Sequence, residues 1–446
     1  LSHRLSPAQW AAWKRPLWFF QAYLAFSVWL FFYGPWPWEV DNPGLLAGYL
    51  IAAQLAVLLG YLAAGPLVRQ LPAGMPSFEQ RLQSGLRFTQ WAIAISWAMA
   101  IPSSLARTGA WLPDVLGGLG NAGLAYNENV ERLLTNNAYV AFEYLRMLVS
   151  PWLLGVLPLT AFYWTRLSPA WRAAGLGSIA FTLAIYMSIG VNKGIADLVV
   201  TLPWLLLLAN QAGLLTVRRL GLKLGLSSLA MLALFFAFFS AGQQSREGSG
   251  TEYGSFFTGG EVLLADSKHF ISAWLPDGLR LIFEAVSRYV VQGYYALSLA
   301  LQTDTPSTWG FGHSMFLARN ADVIAGGSFF VEQSIPGVLE REHGWPMFLL
   351  WHSIYPWLAS DLGFVGTLFA MLAFGFLLGL AWGRAMLLAA PHWLVLAYLL
   401  LILFYYVPAN NQIFQSGESL VAFAMLLGLL GWQALTRVRP SPKASP

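Results

Sequence analysis

Four of the six histidines, His269, His313, His343 and His352, fall in one stretch between Phe239 and Phe364. A histidine there can take a proton from a weak nucleophile near neutral pH, or serve as an ordinary interface residue. His343 and His352 are the first candidates for a general base, because Arg341 and Asp361 lie close to them in sequence. Asp361 belongs to a polar Ser360–Asp361 step that leads into a glycine-rich apolar run. It either orients that base or simply caps a helix. The sequence holds no cysteine, no His-x-x-x-His pair and no Asp-x-Asp. Neither a zinc site nor a divalent ion held by adjacent carboxylates is supported, and no cofactor is expected.

Cations supply the second chemistry. Lys193 sits in the turn "SIGVNKGIAD". There it could bind a phosphate, or it could snorkel or pair with Asp197 four residues on. Arg280, Glu284 and Arg288 are spaced to share one helix face. They form either an internal ion-pair ladder or, with one positive charge left over, a site for an anion. Arg319 and Arg341 are second-rank candidates for the same role. Tyr289, Tyr294 and Tyr295, close to Gln292 and Gly293, and His313 further on, are candidate sugar contacts. Interfacial tyrosines also occur without such a role.

These residues must be positioned by unusually apolar elements. Of 446 residues, 57% are apolar and 10% charged, against about half and about a quarter in soluble domains. Disordered, disulfide-scaffold and thiol-enzyme classes are excluded. Ten apolar runs approach the length that crosses a bilayer: 16–32, 45–64, 88–105, 140–164, 173–191, 195–215, 222–239, 364–382, 392–407 and 420–435. The expectation is an all-α polytopic membrane protein of about ten transmembrane helices, or up to twelve if 279–301 and 345–357 also span. Otherwise those two are short surface or re-entrant helices in a long outer loop region. Residues 1–240 would form a first transmembrane bundle of about seven spans, 241–363 the periplasmic loop region, and 364–446 the last three spans and a tail. The polar stretch "AGQQSREGSGTEYGSFFTGG" reads as loop or partly ordered. Basic residues concentrate in alternate short flanks, among them Lys14, Arg69, Arg81, Arg166, Arg172, Arg219 and Arg384, beside the lone acid Glu79. That asymmetry puts both termini in the cytoplasm and makes the net charge of +4 a topology signal, with no nucleic-acid partner implied.

The order of a basic turn between spans, "RYVVQGYYAL", "STWGFGHSMF" and "YPWLASDLGFVGTLFAMLAFGFLLG" resembles the Wzy-type O-antigen polymerases, bacterial oligosaccharide repeat-unit polymerases. The likeness runs from about Ala173 to the end. Asp361, Gly363 and Gly366 match the family's Asp-x-Gly-x-x-Gly element, with Leu362 in place of an aromatic. Lys193–Gly194 stands where the family has Arg–Gly. The resemblance implies a metal-independent glycosyltransferase of lipopolysaccharide biosynthesis in the bacterial inner membrane, with its active site facing the periplasm. It would move a growing glycan from an undecaprenyl-pyrophosphate carrier to the non-reducing end of a new lipid-linked unit. A chain-length-regulating co-polymerase is an implied partner. On this expectation Lys193, Arg280, Arg288, Arg319 and Arg341 hold pyrophosphate, and His352 or His343 with Asp361 activates the acceptor. Tyr289, Tyr294, Tyr295 and His313 contact glycan. An O-antigen ligase acting on the lipid A core and a lipid-linked oligosaccharide flippase or transporter are the alternatives.

Overall fold

A computed structural model describes residues 6–70, 75–134, 139–217, 219–247, 255–258, 261–304 and 307–438. Local signals start the helices. Ser6 and Gln9 form a capping box for α1 (Pro7–Tyr33). Asn42 caps α2 (Pro43–Ala63), which continues after a break as α3 (Gly65–Arg69). Ser77 and Gln80 form a second capping box for α4 (Phe78–Ala98), followed by α5 (Ala100–Thr108). Such caps satisfy amides that the first turn cannot. Then come α6 (Val115–Gly120), α7 (Ala122–Leu134), α8 (Val140–Leu148), α9 (Ser150–Leu153) and α10 (Val156–Phe162). They are followed by α11 (Pro169–Ser188), α12 (Lys193–Gln211) and α13 (Leu220–Glu247). A small antiparallel hairpin, β1 (Ser255–Phe257) with β2 (Val262–Leu264), precedes α14 (Asp277–Ala300). The chain closes with α15 (Met315–Ala325), α16 (Phe329–Gln333), α17 (Ile335–His343), α18 (Ile354–Leu388), α19 (Pro391–Tyr406) and α20 (Gly417–Val438).

The ten apolar runs all fall in helical segments, but the expected bundle of ten to twelve spans is corrected. Among the described residues, four helices are long and apolar enough to cross a membrane: Pro7–Tyr33, Pro43–Arg69, Lys193–Gln211 and Ile354–Leu388. Run 140–164 is broken into three short helices, because Pro151, Gly155 and Pro158 interrupt it. α4 carries Glu79, Arg81 and Arg87. α19 has 16 residues. The chain is a mostly helical, compactly packed body with several long apolar helices, and the repeat-unit polymerase reading that required the larger bundle falls with the span count.

Two smaller expectations change as well. The segment 345–357 is not a short helix: residues 344–353 form an irregular strap that leads into α18. The polar stretch after Ala241 begins as the end of α13 and later contributes β1, while residues 248–254 and 259–260 lie outside the described residues.

The core is built around α18 and α19, whose apolar side chains pack against α1, α2 and α10. Backbones approach closely where α2 crosses α18. A Cβ on Gly60 would meet the Leu372 carbonyl, and one on Gly375 would meet the Val57 carbonyl. A Cβ on Gly428 in α20, by contrast, meets nothing within 4 Å. Glycine to alanine should therefore have opposite signs at the two helical sites. Gly428→Ala should be neutral or raise the thermal midpoint in detergent, through a helix-propensity gain of up to about 1 kcal/mol. Gly375→Ala should lower it, because overpacking costs about 1–3 kcal/mol. Equal midpoints would refute the close crossing.

Candidate functional site

The Asp361 carboxylate organises the polar end of α18. The loop 308–313 wraps around it. The amides of Gly310, Gly312 and His313 donate to its oxygens at 2.9, 3.3 and 2.8 Å. The Thr308 hydroxyl also reaches it. His313 Nδ1 lies 2.8 Å from Oδ2. The Asp361 side chain is only 5% exposed and that of His313 is 25% exposed. The loop takes this path because Gly310 has φ +91° and Trp309 itself is held at φ +54°. Asn411, fully buried, donates to the His313 carbonyl at 2.8 Å, and the Phe414 ring meets the imidazole edge-on at 5.8 Å. A carboxylate only accepts, so Nδ1 carries the hydrogen and Nε2 of the neutral ring is the basic atom.

The histidines placed first are elsewhere. His352 is sealed in the interior with Nδ1 donating to the Leu350 carbonyl at 3.1 Å, and burial lowers its pKa to about 3. His343 ends α17 in an exposed position. Neither forms the dyad with Asp361; His313 does.

The cations expected to share one ligand are engaged by other protein groups. Lys193 pairs with Asp197, the outcome its i, i+4 spacing allowed. Arg280 pairs with Asp277 at 3.1 Å. Arg288 is buried, with its guanidinium 5.8 Å from the Trp36 ring centre. Burial pushes the Glu284 carboxyl between them above its usual range, against Ser272 and Arg280. Arg341 is half-exposed beside Glu342, and Arg319 is partly buried on α15. Tyr294 is buried with its hydroxyl 2.9 Å from that of Ser27, so its ring is not presented to a ligand. Tyr295 packs between Trp38 and Trp345, and Tyr289 against Trp351.

A charged cluster not anticipated as a unit lies close by. Arg107 pairs with Glu418 at 3.2 Å and with Glu143 at 3.8 Å, and Arg146 pairs with both acids. A cavity of about 60 Å³ beside it is lined by Ser103, Arg107, Arg146, Thr182, Tyr186 and Glu418. Lys193, Arg280 and Arg288 do not line it. Glu418, at the start of the last apolar run, was the available signal, since an acid beside such a run needs a cation. Among the described residues no group of three potential metal ligands converges.

No family model matches the chain, and no curated protein or solved structure is significantly similar to it.

Folded His352 resists protonation until about pH 3, whereas the unfolded ring takes a proton near its ordinary 6.5. Between those values the unfolded state binds more protons, so stability falls as pH falls, with a slope approaching about 1.4 kcal/mol per pH unit. His352→Phe should flatten the acid limb of thermal midpoint against pH. An unchanged limb would show that His352 is not the residue responsible.

Proposed function

We propose that the chain is a membrane-associated enzyme that transfers a group to a hydroxyl acceptor, with His313 as general base and Asp361 as the group that orients it. The observation carrying this reading is the 2.8 Å contact between the partly exposed His313 ring and a carboxylate held by three backbone amides. Asp361 holds the tautomer that leaves Nε2 basic, and its charge stabilises the imidazolium formed when the acceptor proton arrives. Proton removal of this kind contributes about 10²–10⁴-fold. Glycosyl transfer, in which the acceptor oxygen bonds the sugar as the donor's pyrophosphate leaves, is the first reaction to assay. The exposed rings of Trp309 and Phe311 beside His313 offer flat apolar faces to a substrate.

Charge supports a side of the membrane for the site. The Arg69 guanidinium stacks 4.2 Å from the Trp10 ring, Arg384 donates to the carbonyls of Leu67 and Gln70, and Arg81 donates to that of Leu388. This basic cluster gathers at the end of α18 remote from Asp361. Basic flanks favour the cytoplasm, and this supports an outer-face position for the dyad.

Purified protein in liposomes, supplied with a lipid-linked sugar pyrophosphate and a hydroxyl acceptor, should transfer sugar. His313→Gln should lower turnover by about 10²–10⁴-fold with helix content unchanged by circular dichroism. His343→Gln should leave turnover as it is. Full activity in His313→Gln would remove the dyad from the mechanism.

A further inference from the structure

We infer that the α15–α16 hairpin is a membrane-inserting tip, a bilayer contact separate from the candidate spans. Nine successive residues, Val323 to Val331, carry no charged side chain. The charge just before them is turned inward: Asp322 is 5% exposed and accepts from the amides of Phe330 and Val331 at 2.8 and 2.9 Å. Those two bonds close the hairpin, and the next two side chains face out. Val323 is 81% and Ile324 87% exposed, with Gly326 at φ +76° ending the helix behind them. Exposed β-branched side chains at a helix end gain nothing from water, and the nearest outward carboxylate, Glu332, is engaged by the Ser328 hydroxyl at the base of α16.

The occupant is the acyl edge of a bilayer because the patch continues an apolar helix face. Phe329 lies 6.4 Å ring to ring from Trp309, which is itself 75% exposed. The Trp309 loop is tied by Thr308 and Gly310 to Asp361. Just beyond it the outward stripe of α18 begins: Val365, Phe369 and Leu372, exposed at one face of the longest candidate span. Trp309 sits between the tip and this stripe, a position tryptophan favours at the boundary between headgroups and acyl chains. The geometry is that of an interfacial helix end dipping beside a spanning helix.

The native chain has no cysteine, so one introduced thiol gives a unique label. Ile324→Cys and, as the test position on a solvated surface, Glu342→Cys are labelled with an environment-sensitive fluorophore in the 446-residue chain. Both are then reconstituted in liposomes of zwitterionic lipid with or without nitroxide lipid labelled near the carbonyl. The label at 324 should be blue-shifted and lose intensity to the nitroxide lipid, while that at 342 stays water-like and unquenched. A water-like spectrum at 324 overturns the inference. A blue shift without nitroxide quenching also overturns it, since protein would then cover the tip. Val323→Cys repeats the measurement if the neighbouring variant folds poorly.

Discussion

A carboxylate placed where a long apolar helix begins cannot be left to a scarce solvent, and the Asp361 site is built around that constraint. Taking such a charge from water is affordable only when hydrogen bonds replace hydration. Here the replacement comes mostly from one short loop, 308–313, three of whose amides, those of Gly310, Gly312 and His313, point inward at the same side chain. Convergent amides need a backbone that turns through conformations side chains resist, hence Gly310 at φ +91° and the left-handed Trp309. Once the loop is drawn in, the His313 ring is delivered with its Nδ1 against the carboxylate. Asn411 then fixes the loop from the other side through the His313 carbonyl.

The same constraint explains why cations that look available in the sequence are engaged. An unpaired charge in an apolar interior is costly, so arginines and lysines there take protein acids as partners. Lys193 with Asp197, and Arg107 and Arg146 with Glu143 and Glu418, follow this pattern. Arg280 does so near the surface with Asp277, at the first turn of α14, where an acid also suits the helix dipole. A surplus of positive charge held for a ligand cannot be inferred from spacing, because the satisfying acid is often far away in the chain, as Glu418 is from Arg107.

What was legible follows from local physics. Apolar runs became helices, three of them started by the Ser6, Asn42 and Ser77 side-chain caps. Helical character does not measure span length, however: Pro151, Gly155 and Pro158 divide one run into pieces that each expose chain ends. The prominence of Asp361 was also legible, as a charge at an apolar boundary. Its partner was not, since His313 lies 48 residues earlier and its motif reads equally well as a simple sugar contact. His352, nine residues before Asp361 in sequence, lies in the irregular strap 344–353 and is buried, so proximity in sequence did not become a contact in space.

Gly363 links the site to the membrane part of the fold. It has φ +64° and ψ 172°, a conformation essentially restricted to glycine, and it breaks α18 two residues after Asp361. The nine residues before the break are anchored on their own: the Ile354 amide donates to the Val407 carbonyl, and Ser360 accepts from the Ile335 amide. The helix beyond the break is anchored separately, by its close crossing with α2 at Gly375 and Gly379. Because a non-helical residue separates the two anchors, the direction of the long apolar segment does not dictate where the carboxylate points. The dyad is therefore positioned by the loops that cover it, and the helix that carries Asp361 remains free to satisfy its own packing.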